Sequence, residues 1–312
     1  MESGHFNLEN GVHHGKGGHL FLVSGAHHVF DFATGKKRIT SESLNTFSDN
    51  IVERRRAAIG LKSEYRHIIV PDKQSVLSDL LSIPISTRLG MEYREFMKCN
   101  DDIIYPIDIL KELGERAFLR TDTHLTDLAL IRLAGYIYEN LTQKPSSDKV
   151  KEAEKTLTVK KEHCGDLGVK LNPNMSSEEV FCKANWSKHY SNNLVGNDGL
   201  IDIHINSSLT DAGRLVVFGD SFGRALGPHL SRYFSEVLFF RSRFVHGEIL
   251  WLAQADYVIS QNAERYLSDV KSDNDAPPFF LYPHLRPDVT DDGISRVLSA
   301  LLSGCGLPKR RD

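Results

Sequence analysis

Hydrophobic positions along the chain alternate between two periods. Residues 65–70 form a β-branched run stopped at Pro71 and Asp72, and similar short apolar runs occupy 19–23, 117–120, 214–218, 237–240 and 257–260. Runs of this length bounded by breakers predict buried strands. Between them, apolar residues fall at helical spacing over 41–60, 107–113, 125–141, 224–234 and 246–254. These segments predict amphipathic helices, the first opened by a Ser cap. Strands alternating with helices through short links predict a three-layer α/β/α domain with a mainly parallel sheet.

Two stretches break the rhythm. Residues 1–18, rich in Gly, His and Asn without a hydrophobic period, read as an N-terminal arm, and residues 19–312 as the domain itself. Residues 145–212 open on a polar linker at Pro145 and then alternate like exposed strands, so a β-rich insertion is expected there, lying over the end of the sheet. The prolines at 277, 278, 283 and 287 predict an extended crossing before a last helix over 293–303.

Composition narrows the class. With 40% hydrophobic and 25% charged residues, the 312-residue chain belongs with globular proteins. The balance of 38 Lys and Arg against 41 Asp and Glu gives a net charge of -3, which argues against a nucleic-acid or anionic-lipid surface. Cys99, Cys164, Cys182 and Cys305 form no CxxC pair, and six histidines crowd the first 28 residues without spaced Cys or acidic partners, so no metal is expected. No run reaches the length of a spanning helix, and the first residues lack the basic and apolar regions of a signal peptide, which predicts a cytoplasmic protein.

Candidate chemistry gathers at two turns. The run 216–218 ends in Gly219, Asp220 and Ser221 immediately before a helix, which would set the Ser221 hydroxyl at the carboxyl edge of a parallel sheet. Gly223 leaves room beside that hydroxyl, and the Ser221 and Gly223 amides are placed to hold an oxyanion. Asp220 or Ser221 as a plain helix cap is the alternative. Asp122 and His124 sit two residues apart between an expected strand and a long helix. A hydroxyl nucleophile needs a base near neutral pH and a carboxylate to orient it, roles that His124 and Asp122 fit; a solvated pair at a helix start is the alternative.

Taken together and in this order, the Asp122-x-His124 and Gly219-Asp220-Ser221 blocks resemble the SGNH hydrolase-like superfamily, in the permuted branch typified by alginate O-acetyltransferases. Residues 17–22 (GGHLFL) resemble that branch's opening Gly-Trp-Leu-Phe-Leu, and 69–76 (IVPDKQSV) and 165–170 (GDLGVK) resemble its internal blocks, so the resemblance covers most of 15–270. Leu125 and His19 stand where the branch commonly has Trp. The resemblance implies a Ser221–His124–Asp122 triad that acetylates a sugar hydroxyl on a glycan or glycoconjugate, through an acyl-serine. It also implies work outside the inner membrane, with a membrane-linked polysaccharide assembly system as a potential associate, whereas a cytoplasmic enzyme would draw on acetyl-CoA. No Walker or Rossmann loop supports a tightly bound nucleotide cofactor. Asn262 is the candidate third oxyanion donor, Arg241 and Arg243 are candidates for binding an acidic sugar or the oxyanion, and Lys73 for an anionic substrate or donor. A carbohydrate esterase and a non-catalytic glycan-binding protein are the competing functions.

Overall fold

The computed structural model describes residues 8–282 except 99, 184, 185, 195 and 197. Strands β1 (Leu8–Glu9), β2 (Val12–His14) and β3 (Leu20–Leu22) form a small antiparallel meander. Where a lead-in arm is expected, then, residues 8–9 and 12–14 already belong to a sheet, and Val12 and His13 are buried. The remaining strands are β4 (Glu64–Val70), β5 (Ile103–Ile104), β6 (Leu157–His163), β7 (Ser177–Cys182), β8 (Lys188–Ser191), β9 (Ile201–Ile205), β10 (Arg214–Gly219), β11 (Glu236–Arg241) and β12 (Tyr257–Ala263). The helices are α1 (Val29–Ala33), α2 (Ser41–Gly60), α3 (Lys73–Val76), α4 (Leu89–Phe96), α5 (Ile107–Leu113), α6 (Asp127–Thr142), α7 (Ser147–Glu154), α8 (Ser221–Leu230) and α9 (Gly247–Ala253).

Seven strands build the central sheet in the order β5-β4-β12-β10-β11-β9-β8. The first five are parallel, and β9 and β8 extend the far edge antiparallel. Helices α2 and α9 pack together, with α2 on β4, whereas α6 and α8 pack together and α8 lies on β10, β11 and β12. Side-chain parity fixes the two faces. His67 meets Phe47 of α2, and Ser260 hydrogen-bonds His67, while the next residue, Gln261, meets Gly223 of α8. The expected three layers and mainly parallel sheet are therefore present.

Three local expectations differ. Thr40, not a serine, caps α2 by accepting from the Ser43 amide at 3.1 Å. Residues 117–120 form no strand of the sheet: Phe118 and Leu125 make one antiparallel bridge that closes the turn carrying Asp122 and His124. The stretch 145–212 is not a separate β excursion, because it begins with α7, continues as the β6–β7 hairpin and ends with two strands of the central sheet. The expected helix over 293–303 lies outside the described residues.

Candidate active site

Strand β10 is buried along its whole length and ends at Gly219, where the chain turns directly into α8. The cap of α8 is Asp220, whose carboxylate accepts the Phe222 amide at 2.8 Å and, through its other oxygen, the Ala263 amide at 2.6 Å. One side chain thereby ties the helix start to the end of β12 and leaves the Ser221 hydroxyl free for other work. The Arg224 amide goes to the Asp220 carbonyl, so among the described residues the amides of Ser221 and Gly223 meet no protein acceptor.

The Asp122 turn approaches from the other side. Ser221 Oγ lies 2.7 Å from His124 Nε2, and His124 Nδ1 lies 2.6 Å from Asp122 Oδ1. The three residues, separated by 97 positions between His124 and Ser221, form one hydrogen-bonded chain. Phe222 lies against the imidazole with ring centroids 4.9 Å apart. Asp122 Oδ1 also accepts the His124 amide at 2.9 Å, while Oδ2 accepts from His163 Nε2 at 3.0 Å and from the Asp166 amide at 3.3 Å.

Burial opposes ionisation of Asp122, yet the hydrogen bonds and charge of His124, with the bond from His163, outweigh it and hold the carboxyl well below the ordinary Asp range. His124 shows the mirror effect. Burial lowers its pKa, but the Asp122 hydrogen bond and charge, assisted by Asp166, leave it raised overall. An imidazole bonded to an ionised Asp122 through Nδ1–H presents Nε2 as an acceptor to the serine hydroxyl.

The other candidates divide. Arg241, Arg243 and Asn262 line a cavity of about 190 Å³ together with Gly219, Asp220, His27 and Tyr266. It opens beside the residues that precede Ser221, at the carboxyl edge of the parallel strands. Asn262 donates to the Ala263 carbonyl at 3.0 Å, and Arg243 is exposed. Gly223 does not leave open room: a Cβ there would lie 2.6 Å from Gln261 Oε1, so the missing side chain lets α8 settle on β12. Lys73 is not turned toward a ligand. It is 3% exposed and its ammonium donates to the carbonyls of Leu119, Arg120 and Asp122 at 2.6, 2.9 and 3.0 Å, which shapes the Asp122 turn from beneath.

Two contributors have no distinct signal in the sequence. His163 and Gln261 stand among other polar residues of their strands, and periodicity alone leaves their direction open. Asp72 pairs with Arg265, whose guanidinium lies 5.2 Å from the Phe222 ring centroid. Asp166 binds the Thr123 amide and hydroxyl at 2.8 and 2.5 Å. Asp72 and Asp166 fall within the quoted 69–76 and 165–170 blocks, so a signal existed for both. Asp122, His124 and Asp166 bring ligand-type atoms within 4.8 Å of one another, but both His124 nitrogens are engaged by Asp122 and Ser221. The hydrogen bonds account for the cluster without a cation. A larger cavity of about 560 Å³, lined in part by Tyr138, Lys149 and Asp256, lies by the opposite ends of the strands, away from this chemistry.

No protein-family model matches the chain, and no curated protein matches it in sequence. Solved structures do. Bacillus cereus PatB1 carrying a sulfonyl adduct is 16% identical, with 75% of this chain and 91% of that chain covered and a TM-score of 0.57. A DHHW family protein from Eubacterium siraeum is 13% identical over 84% of this chain and 94% of its own, with a TM-score of 0.57. The O-acetyltransferase domain of Pseudomonas putida AlgJ is 16% identical over 87% and 97%, with a TM-score of 0.52. The fold implied by the sequence resemblance is the one shared with these structures.

Proposed function

We propose that the chain is a polysaccharide O-acetyltransferase that carries the acetyl group on Ser221. The observation that carries this reading is the continuous Ser221–His124–Asp122 hydrogen-bond chain at 2.7 and 2.6 Å, set at the carboxyl edge of a parallel sheet. Likeness in fold to an O-acetyltransferase domain supports the choice of acyl group.

In the first half-reaction, Ser221 Oγ attacks the donor's carbonyl carbon as its proton passes to His124 Nε2. The imidazolium, stabilised by ionised Asp122, gives that proton to the leaving group as the donor bond breaks. In the second, a sugar hydroxyl gives its proton to Nε2 and attacks the acyl-serine. Ser221 Oγ leaves and takes the proton back. The amides of Ser221 and Gly223 face the oxyanion of each tetrahedral intermediate, a contact worth about 3 kcal/mol per donor. The acetyl donor we assign is an activated ester, with acetyl-CoA its form in the cytoplasm.

The test is an incubation with p-nitrophenyl acetate, with acetyl-CoA in parallel, followed by intact-mass analysis and by product analysis in the presence of oligosaccharides. Wild type is expected to gain one acetyl group and pass it to the sugar. Ser221→Ala and His124→Ala are each expected to lose roughly a thousandfold or more in turnover, because the two act as one unit. Acetate release by Ser221→Ala at the wild-type rate would overturn the proposal. Release of acetate alone, with every acceptor left unmodified, would make the enzyme an esterase instead.

A further inference from the structure

We propose that His163 is a positioning residue of the acyl-transfer site, acting on His124 through the far oxygen of Asp122; this rests on the function proposed above. His163 closes β6, where it pairs with Ser177 of β7, and its ring stands edge-on to Phe181 with centroids 5.7 Å apart. From there Nε2 reaches Asp122 Oδ2 at 3.0 Å, while the His163 carbonyl accepts the Thr121 hydroxyl at 3.1 Å. The end of the hairpin thus grips the Asp122 turn by side chain and backbone together.

The geometry gives this grip a consequence for the base. An ionised carboxylate offers about four lone-pair positions, and those of Asp122 are taken in pairs: His124 Nδ1 and its amide on Oδ1, His163 Nε2 and the Asp166 amide on Oδ2. Because the acceptor is an anion, His163 must donate. Its bond fixes the carboxylate plane, and the plane sets the direction in which His124 aims Nε2 at Ser221. It also draws charge from the oxygen pair that His124 shares. Removal of that donor strengthens the attraction of Asp122 for the His124 imidazolium. The base then binds its proton more tightly.

Other charges face this group from the surrounding elements. Asp166 Oδ2 lies 3.9 Å from His124 Nδ1, Lys73 holds the Asp122 carbonyl, Arg265 acts to lower the His124 pKa, and Glu179 of β7 accepts the Arg120 amide. All of them remain when His163 alone is changed.

The discriminating pair is His163→Phe, which keeps a ring of similar shape beside Phe181 but has no donor, and His163→Gln, which keeps a donor at similar reach. With p-nitrophenyl acetate, His163→Phe is expected to lose about tenfold in kcat at unchanged KM. The acid limb of its kcat/KM profile is expected to move up by about half to one pH unit, and His163→Gln to return both toward wild type. The His124 titration followed by NMR should move upward in His163→Phe, independent of turnover. If Ser221→Ala is inactive but His163→Phe matches wild type in rate, acid limb and His124 titration, the positioning role is wrong. Equal loss in the Phe and Gln variants overturns it too, since shape rather than the hydrogen bond would then be at stake. Should Ser221→Ala retain full activity, the acyl-transfer reading fails, and an unmoved His124 titration in His163→Phe would separately refute the coupling.

Discussion

Lys73 is almost fully withdrawn from water, with its ammonium spent on three carbonyls of the turn that carries Asp122. Burial drives its pKa down to about 7, against the attraction of Asp122, Asp166 and Glu179. The sign for stability follows from proton counting. Between roughly pH 7 and the ordinary lysine value near 10.4, the unfolded chain holds a proton at this position that the folded chain has released. Stability from this group therefore rises with pH across that window. The stability advantage of wild type over Lys73→Met in urea titrations is expected to widen from pH 7 to pH 10. A constant difference would mean that the buried amine does not titrate there. The direction of this side chain was illegible in the sequence, because a lysine after Pro71 and Asp72 can equally face solvent.

At the scale of elements, the placement of Ser221 depends on how closely α8 sits on β12. A Cβ at Gly223 would approach Gln261 Oε1 to 2.6 Å and Phe239 to 3.2 Å, and Gln261 is pinned, since its Oε1 accepts the Asp220 amide at 3.2 Å. Gly223→Ala is expected to destabilise by about 1 to 3 kcal/mol and to slow the proposed acetylation of Ser221, because the helix start must lift from the strand. The same substitution in a Gln261→Ser background should cost less, a non-additivity that a double-mutant cycle in urea measures. Strict additivity would show that the contact is not what limits the site. Segments such as 214–219 and 236–241 were legible because both faces are buried and the apolar runs are nearly continuous. Strand β9 was not: Asp202 and His204 are buried yet polar, with Asp202 bound to His189 and Arg224, so its alternation imitates an exposed strand. The short run at 117–120 erred the other way, since its apolar residues fill the core from a turn.

Across the whole molecule, the two ends of the parallel sheet carry different burdens. The carboxyl end gathers Ser221, His124 and Asp122, a convergence that breakers after hydrophobic runs made visible in outline. The contacts that steady it from β6 and β12 come from pairings that no local pattern encodes, whereas the turn after β4 lies within the quoted 69–76 block. At the opposite end, Arg214 Nε meets Glu236 Oε2 at 2.6 Å where β10 and β11 begin, and both side chains are buried. Six residues of strand put this pair about 16 Å from Gly219. Glu236→Gln leaves the Arg214 charge without its carboxylate, at a cost of about 3 to 5 kcal/mol. The urea midpoint is therefore expected to fall at unchanged m-value, while the rate of the proposed Ser221 acetylation per folded molecule stays within about twofold of wild type. Because much of that cost is the stranded charge, Arg214→Met combined with Glu236→Leu should recover most of the lost stability. A large drop in acetylation rate in Glu236→Gln would show instead that strain at one end of the sheet reaches the serine at the other.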